Sequence, residues 1–293
     1  RQAIDLYKAR TDADHPIQAR ALHSLAIVYE ELGDFDRARE FFDRALTIKR
    51  RSLGNGSAQV IATVIEQAQL DLRAGRVAEA EATARSIIRT MTARRDANQQ
   101  SFGLAHVILG IALARQEGSA AAIDTLQAAT RILSTARGEE APELDLSYIE
   151  LGSLYLKTKN LVQADAAIGR AIAILRRHGS TSPSKLPRAL AVRAEIKRQS
   201  GNRLGALEDL REAVATVRVR SGIGGSVSDL SEREQRSARD IYVRLVDFLE
   251  AQPAAGGVQA GISEAFEAAQ AAQISTASRA IALMSARFSQ RSG

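Results

Sequence analysis

Between Leu22 and Ile48 the chain reads LHSLAIVYEELGDFDRAREFFDRALTI, and its apolar positions fall on two helical faces. Leu25, Ala26 and Tyr29 share one face of a first helix, whereas Ala38, Phe42, Ala45 and Ile48 line a second at spacings of three and four residues. Gly33 and Asp34 break the pattern between them, so the stretch predicts a helix-turn-helix hairpin.

Slid along the chain, this unit recurs with a period of 42 residues. Ala38 returns as Ala80, Ala122, Ala164 and Ala206, and Ala26 returns as Ala68, Gly110, Gly152 and Ala194. A third small position runs through Ala3, Ala45, Ala129, Ala171 and Ala213, with Ile87 its only departure, and Gly33 returns as Gly75 and Gly201. Helices approach closely only where no bulky side chain separates their backbones, which accounts for the small residues. Larger residues then fill the flanks: Leu25, Leu109 and Leu151 in the first helix, and Phe42, Leu126, Ile168 and Leu210 in the second. Hairpins are expected over about 16–53, 57–95, 98–138, 142–179 and 184–221, with no strand anywhere.

The order Leu25-Ala26-x-x-Tyr29, Gly33, Ala38, Phe42, Ala45 resembles the tetratricopeptide repeat, whose usual period is about 34 residues. The longer period, with Asp14-His15-Pro16 ahead of the first complete hairpin, is similar to the variety found in kinesin light chain and many bacterial proteins. That resemblance implies an all-α, right-handed superhelical solenoid of antiparallel hairpins. Residues 1–221 are expected to form the array, a partial first repeat followed by five complete ones, and 222–293 a divergent C-terminal helical hairpin that caps it. RQAIDLYKAR at the start reads as the second helix of a repeat whose first helix is missing, so the chain is expected to be a piece of a longer protein.

After a connector at Ser221-Gly222-Ile223-Gly224-Gly225-Ser226, a helix is expected from Asp229 to Glu250 and another from Ile262 to Phe288. The segment Glu264 to Gln273, followed by Ser278-Arg279-Ala280, resembles the helix that leads into the caspase-like CHAT peptidase domain of bacterial proteins joining the two. On that resemblance the chain is the regulatory arm of a longer effector whose catalytic part lies beyond Gly293. That is the alternative to the main expectation, a free-standing adaptor that serves as a protein-interaction scaffold.

Candidate chemistry is sparse. The chain has no Cys, which removes disulfides, thiolate catalysis and Cys metal sites and fits a reducing, cytoplasmic compartment. Its four His, at 15, 23, 106 and 178, lack paired ligand spacing, and no phosphate-binding or nucleophile motif occurs, so neither enzyme activity, metal nor cofactor is expected. No apolar run approaches the roughly 18 residues of a membrane span. A net charge of +6 raises nucleic-acid binding, but Arg94-Arg95, Arg176-Arg177 and Arg218-x-Arg220 sit near the ends of second helices, where the helix dipole favours cations, and aromatics are only 4%.

What remains is a protein partner. In the tetratricopeptide family the first helices line the concave side, and by position this names Arg20, His23, Ile27 and Glu30; Ile65, Glu66, Gln69 and Arg73; Val107, Ile111 and Arg115; Ile149, Ser153 and Lys157; and Arg188, Val192, Glu195 and Arg198 as groove residues. Apolar middles with polar edges suit a peptide or helix laid in a groove. Arg73, Arg115 and Lys157 repeat at the same register, which points to an acidic, amphipathic segment, although a cation there also complements the dipole of its own helix. If the basic charge serves solubility and helix ends alone, filter binding of random duplex DNA should weaken steeply with salt and vanish near physiological ionic strength; tight binding at that salt would establish nucleic acid as a partner.

Overall fold

The structure, a computed structural model, describes residues 16–94, 98–116, 118–178, 185–222, 232–250, 266–268 and 270. In chain order its helices are α1 (Pro16–Glu31), α2 (Phe35–Leu53), α3 (Ala58–Arg73), α4 (Val77–Arg94), α5 (Gln99–Gln116), α6 (Ser119–Arg137), α7 (Leu144–Lys157), α8 (Leu161–His178), α9 (Lys185–Gln199), α10 (Arg203–Gly222) and α11 (Glu232–Glu250). No strand occurs among the described residues. The helices pack as the 42-residue pattern predicts, α1 against α2, α3 against α4, α5 against α6 and α9 against α10. Up to α10, the odd-numbered helix is the first (A) helix of each hairpin and the even-numbered the second (B). The opening segment RQAIDLYKAR, most of the Gly-rich connector, and all but four residues of the expected helix from Ile262 to Phe288 lie outside the described residues, as does most of the CHAT-like stretch.

One backbone device closes every hairpin. The N–H of Asp34 donates to Tyr29 O (2.9 Å), Arg76 to Asp71 O (2.8 Å), Gly118 to Leu113 O (3.3 Å), Asn160 to Tyr155 O (2.8 Å) and Asn202 to Lys197 O (2.9 Å). This wraps the last turn of the A helix back on itself, and before Asp34, Arg76, Asn160 and Asn202 a left-handed residue permits it. Gly33, Gly75 and Gly201 supply it at φ 79°, 81° and 85°, and Lys159 takes the same place at φ 62°. The donor residue then begins the B helix: Asp34 Oδ1 accepts from Arg37 N (3.1 Å), Asn160 Oδ1 from Gln163 N (3.3 Å) and Asn202 Oδ1 from Gly205 N (3.0 Å). One residue thus satisfies the end of one helix and the start of the next.

The small positions are where the helices touch. Ala38, Ala80, Ala122, Ala164 and Ala206 are all completely buried, as are Ala45, Ala129, Ala171 and Ala213. Gly110 shows how close the approach is: a Cβ there would stand 2.6 Å from Leu126 Cγ, and one on Gly103 would stand 2.6 Å from Leu133 Cγ. Bulk on one helix therefore enters the space left by its absence on the other.

By packing, the chain divides into residues 1–154 and 155–293, with the boundary inside α7. In the first unit a core cluster of Leu22, Ala26, Ala38, Phe42, Ala45 and Leu70 joins the first hairpin to α3, while α5 packs against α3, α4 and α6 and is buried nearly all round. In the second unit α9 packs against α8, α10 and α11, which buries Leu190, Ile196, Leu210 and Leu245.

Gly110→Ala should cost about 1–3 kcal/mol by overpacking, and Leu126→Ala about 2–5 kcal/mol through the cavity it leaves. In the double variant the new methyl enters that cavity, so denaturant unfolding should show a loss smaller than the sum. Simple additivity would mean that α5 and α6 do not meet at this point.

Candidate functional site

Ile65, Val107 and Ile149 lie 42 residues apart, and the structure buries them to 2%, 2% and 0% exposure; Ile111 is buried as well, at 4%. These four expected groove residues are core. The register that the family resemblance places toward an open side faces neighbouring helices here, and α5 is apolar and buried along its middle, with exposed polar residues only toward its ends, at Gln99, Arg115 and Gln116. The other expected groove residues reach the surface to different degrees: Arg20, Ile27, Arg73, Arg115, Lys157, Arg188 and Arg198 are exposed, while His23, Glu30, Glu66, Gln69, Ser153, Val192 and Glu195 are half-buried.

His23 occupies in the first hairpin the register that Ile65, Val107 and Ile149 occupy later, so a polar ring stands where the pattern calls for an apolar residue. Side chains of two further helices satisfy it. Its Nε2 lies 3.0 Å from Glu66 Oε2 on α3, its Nδ1 lies 3.4 Å from Lys49 Nζ on α2, and its ring meets the edge of Phe42 with centroids 5.4 Å apart. Lys49 Nζ also donates to Thr63 Oγ1 (2.6 Å). Burial, and then the Lys49 charge, hold the imidazole below its usual pKa. The Glu66 carboxyl is pushed up to about 7, chiefly by burial, with Lys49 opposing the rise and Glu30 adding to it. Burial likewise lowers the Lys49 pKa, against the pull of Glu66. The imidazole thus stands between the Lys49 and Glu66 side chains at the junction of the first two hairpins.

Two of the three expected cations, Arg73 and Arg115, are also engaged. Arg73 Nη1 lies 3.2 Å from Glu30 Oε1, and Arg115 Nη1 donates to the carbonyl of Leu72 at 2.6 Å. Each arginine reaches 43 residues back, to the last turn of the preceding A helix. Arg115 therefore does for α3 what the dipole reading anticipates, though on the neighbouring helix and not its own. Lys157 is exposed in the second unit, and Ser153 Oγ donates to Ile149 O (2.9 Å).

Two buried carboxylates were not singled out from the sequence. Asp71, 2% exposed, pairs with Arg39 of α2 and lies 2.9 Å from Arg76 Nε. Asp209, also 2% exposed, accepts from Arg193 Nε (2.9 Å) and Nη2 (2.5 Å) and lies 2.9 Å from Lys197 Nζ. Register exposes their logic. Lys197 and Asp209 stand where Tyr29 and Phe41 stand in the first hairpin, and those two rings stack at 5.2 Å and 11°. One contact is thus aromatic in the first hairpin and ionic in the fifth. Arg193 likewise replaces the large apolar Leu25, a lapse in the pattern that was a visible signal.

The second unit holds an open cavity of about 910 Å³ between α9, α10 and α11. Glu195 and Arg198, both expected groove residues, line it together with Ala191, Ala194 and Leu210, and from α11 come Asp240, Val243, Arg244, Asp247 and Phe248. Arg198 grips Glu195 through Nε (2.7 Å) and Nη2 (2.6 Å), which holds the carboxyl below and the guanidinium above their usual ranges. The floor is apolar and the walls carry both signs of charge. Among the described residues no group of three or more His, Asp or Glu is placed to hold a metal ion, and no helix is long and apolar enough to cross a membrane.

Residues 1–51 and 18–93 match the sequence profile of the tetratricopeptide repeat. A comparison with curated proteins finds no match. Among solved structures the fold is similar to BtubC (BKLC) from P. vanneervenii, with TM-score 0.56 and 17% identity over 72% of this chain and 84% of that one. It is also similar to a variant of a Podosopora anserina protein with nearly identical TPR-like repeats, assigned as a kinesin light chain (TM-score 0.51, 21% identity, 69% and 95% covered). The apo form of RapI matches more of the chain, at TM-score 0.61 and 12% identity over 95% of this chain and 68% of that one. At such identities the likeness is one of fold.

The His23 cluster makes a signed prediction. A carboxyl whose folded pKa is raised stabilises fully below its unfolded value, 4.5, and loses that contribution as pH rises through about 7. His23, with a lowered pKa, acts in the opposite sense, losing its contribution as pH falls below 6.5. Comparing Glu66→Gln with the parent isolates the first effect. Between about pH 5 and about pH 8 the variant should gain about 1 kcal/mol relative to the parent in urea unfolding. The shift alone would give more, but the Glu66 side chain is 41% exposed and screened by water. A gap that stays constant with pH would mean that Glu66 titrates as an ordinary carboxylate.

Proposed function

We propose, on the premise that this chain is a tetratricopeptide-repeat protein, that it holds an amphipathic helix or extended segment of a partner protein in the A-helix groove of its second unit. Proteins of this repeat type are in general interaction scaffolds without catalytic machinery of their own. The observation that carries the proposal is the 910 Å³ cavity, lined by Glu195 and Arg198 where the sequence places the groove of the fifth hairpin. Its size falls within the range of about 300–1,000 Å³ typical of binding clefts. Leu210, Val243 and Phe248 offer an apolar floor for anchoring side chains.

The partner's polar positions follow from the walls. An acidic partner draws little support from the first unit, because Arg73 and Arg115 are spent on Glu30 and on the Leu72 carbonyl. In the second unit, acidic positions of the segment meet Arg203 and Arg244, and basic ones meet Asp240 and Asp247. The segment is thus amphipathic, with acidic and basic residues flanking one apolar stripe.

A photo-reactive benzoylphenylalanine placed at Val243, which is 40% exposed and lines the groove, should form a covalent adduct with the partner in native cells. The same group at Leu204, 77% exposed at the start of α10, should not. Arg244→Glu should lower the adduct yield about tenfold. Equal adducts at both positions, or none at Val243, would overturn the assignment.

A further inference from the structure

The one departure from the third small-residue series coincides with a second cavity. Ala45, Ala129, Ala171 and Ala213 are completely buried at this position, whereas hairpin α3/α4 carries Ile87. Beside Ile87, between the N-terminal half of α3 and the C-terminal half of α4, lies a cavity of about 360 Å³. Its walls are Val60, Ile61, Val64, Ile87 and Met91, five side chains without a polar atom that can hydrogen-bond strongly. A branched side chain thus stands at a position that elsewhere carries only a methyl group, and the space lies beside it.

The cavity is separate from the A-helix face. At ~100° per residue, Val60, Ile61 and Val64 point about half a turn away from Glu66, Gln69 and Arg73, so α3 presents the cavity and the expected groove on opposite sides. The polar lining consists of Arg50 and Asn55, from the end of α2 and the loop after it, with Ser86 and Thr90 of α4. The Thr90 hydroxyl is turned back onto its own helix, donating to Ser86 O at 2.9 Å. Arg50 is exposed, and no acidic side chain lines the cavity. A guanidinium at the mouth of an apolar slot complements a ligand that is aliphatic along its length and anionic at one end.

We propose that this cavity is a second binding site, which takes a small amphipathic anion: a medium-length aliphatic chain ending in a carboxylate. The chain lies along Val60, Val64, Ile87 and Met91, and the carboxylate is held at the mouth by Arg50. At 360 Å³ the space is at the small end of ligand cavities, which favours a single chain over a larger molecule.

Isothermal titration calorimetry of the full chain with decanoate, and with decan-1-ol as its uncharged counterpart, tests this. Decanoate should bind saturably and decan-1-ol about tenfold more weakly. Arg50→Glu, a change at an exposed residue, should remove that preference, and Val64→Phe, which fills the slot, should abolish binding of both probes, with circular dichroism confirming that each variant is folded. No saturable binding of decanoate, binding unchanged in folded Val64→Phe, or equal affinity for the two probes would each overturn the proposal. So would binding of a short acidic, leucine-containing peptide in the absence of decanoate binding, which would assign the cavity to a protein partner.

Discussion

The constraint on which the rest depends is the distance between paired helices. An antiparallel hairpin buries its apolar faces only if the two backbones come close, and they do so at alanine and glycine positions with no exposed surface, such as Ala38, Ala80 and Ala122. Gly110, with room for no more than a hydrogen beside Leu126, marks the limit of that approach. The contact recurs at a fixed interval, and similar turns recur with it. Where the rule is relaxed, at Ile87, a cavity appears.

Polar residues in the interior obey a second rule, which acts through the first. His23, Asp71 and Asp209 each occupy a register that carries an apolar residue elsewhere in the chain, and each is answered by charged partners. His23 is met by Lys49 and Glu66, Asp71 by Arg39 and Arg76, and Asp209 by Arg193 and Lys197. A charged group left alone there would bear the full cost of desolvation, so such substitutions hold only as sets. Well-packed apolar residues could serve the same contact, as Tyr29 and Phe41 do in the first hairpin.

A fold assembled in this way separates stability from recognition. The buried faces of the helices are committed to their neighbours, and packing leaves open spaces beside them, among them the charged, apolar-floored groove among α9, α10 and α11 and the aliphatic slot between α3 and α4.

Taken alone, the sequence determined the helices, their pairing and the turns. Periodicity records which side of a helix avoids water, and an alanine series at a constant interval can be satisfied only by a repeated close contact. It could not determine which partner covers a given apolar residue. Ile65, Val107 and Ile149 carry the same pattern whether they face a bound peptide or a neighbouring helix, and only the three-dimensional packing assigned them to the core. In α5, apolar and buried along its middle, periodicity has no preferred side to report. Arg73 and Arg115 read as a basic edge because their acceptors, Glu30 and the Leu72 carbonyl, lie 43 residues away in sequence. Side chains that meet across hairpins lie far apart in the sequence, and a shared periodicity does not say which of them touch, so their contacts were decided by tertiary structure alone.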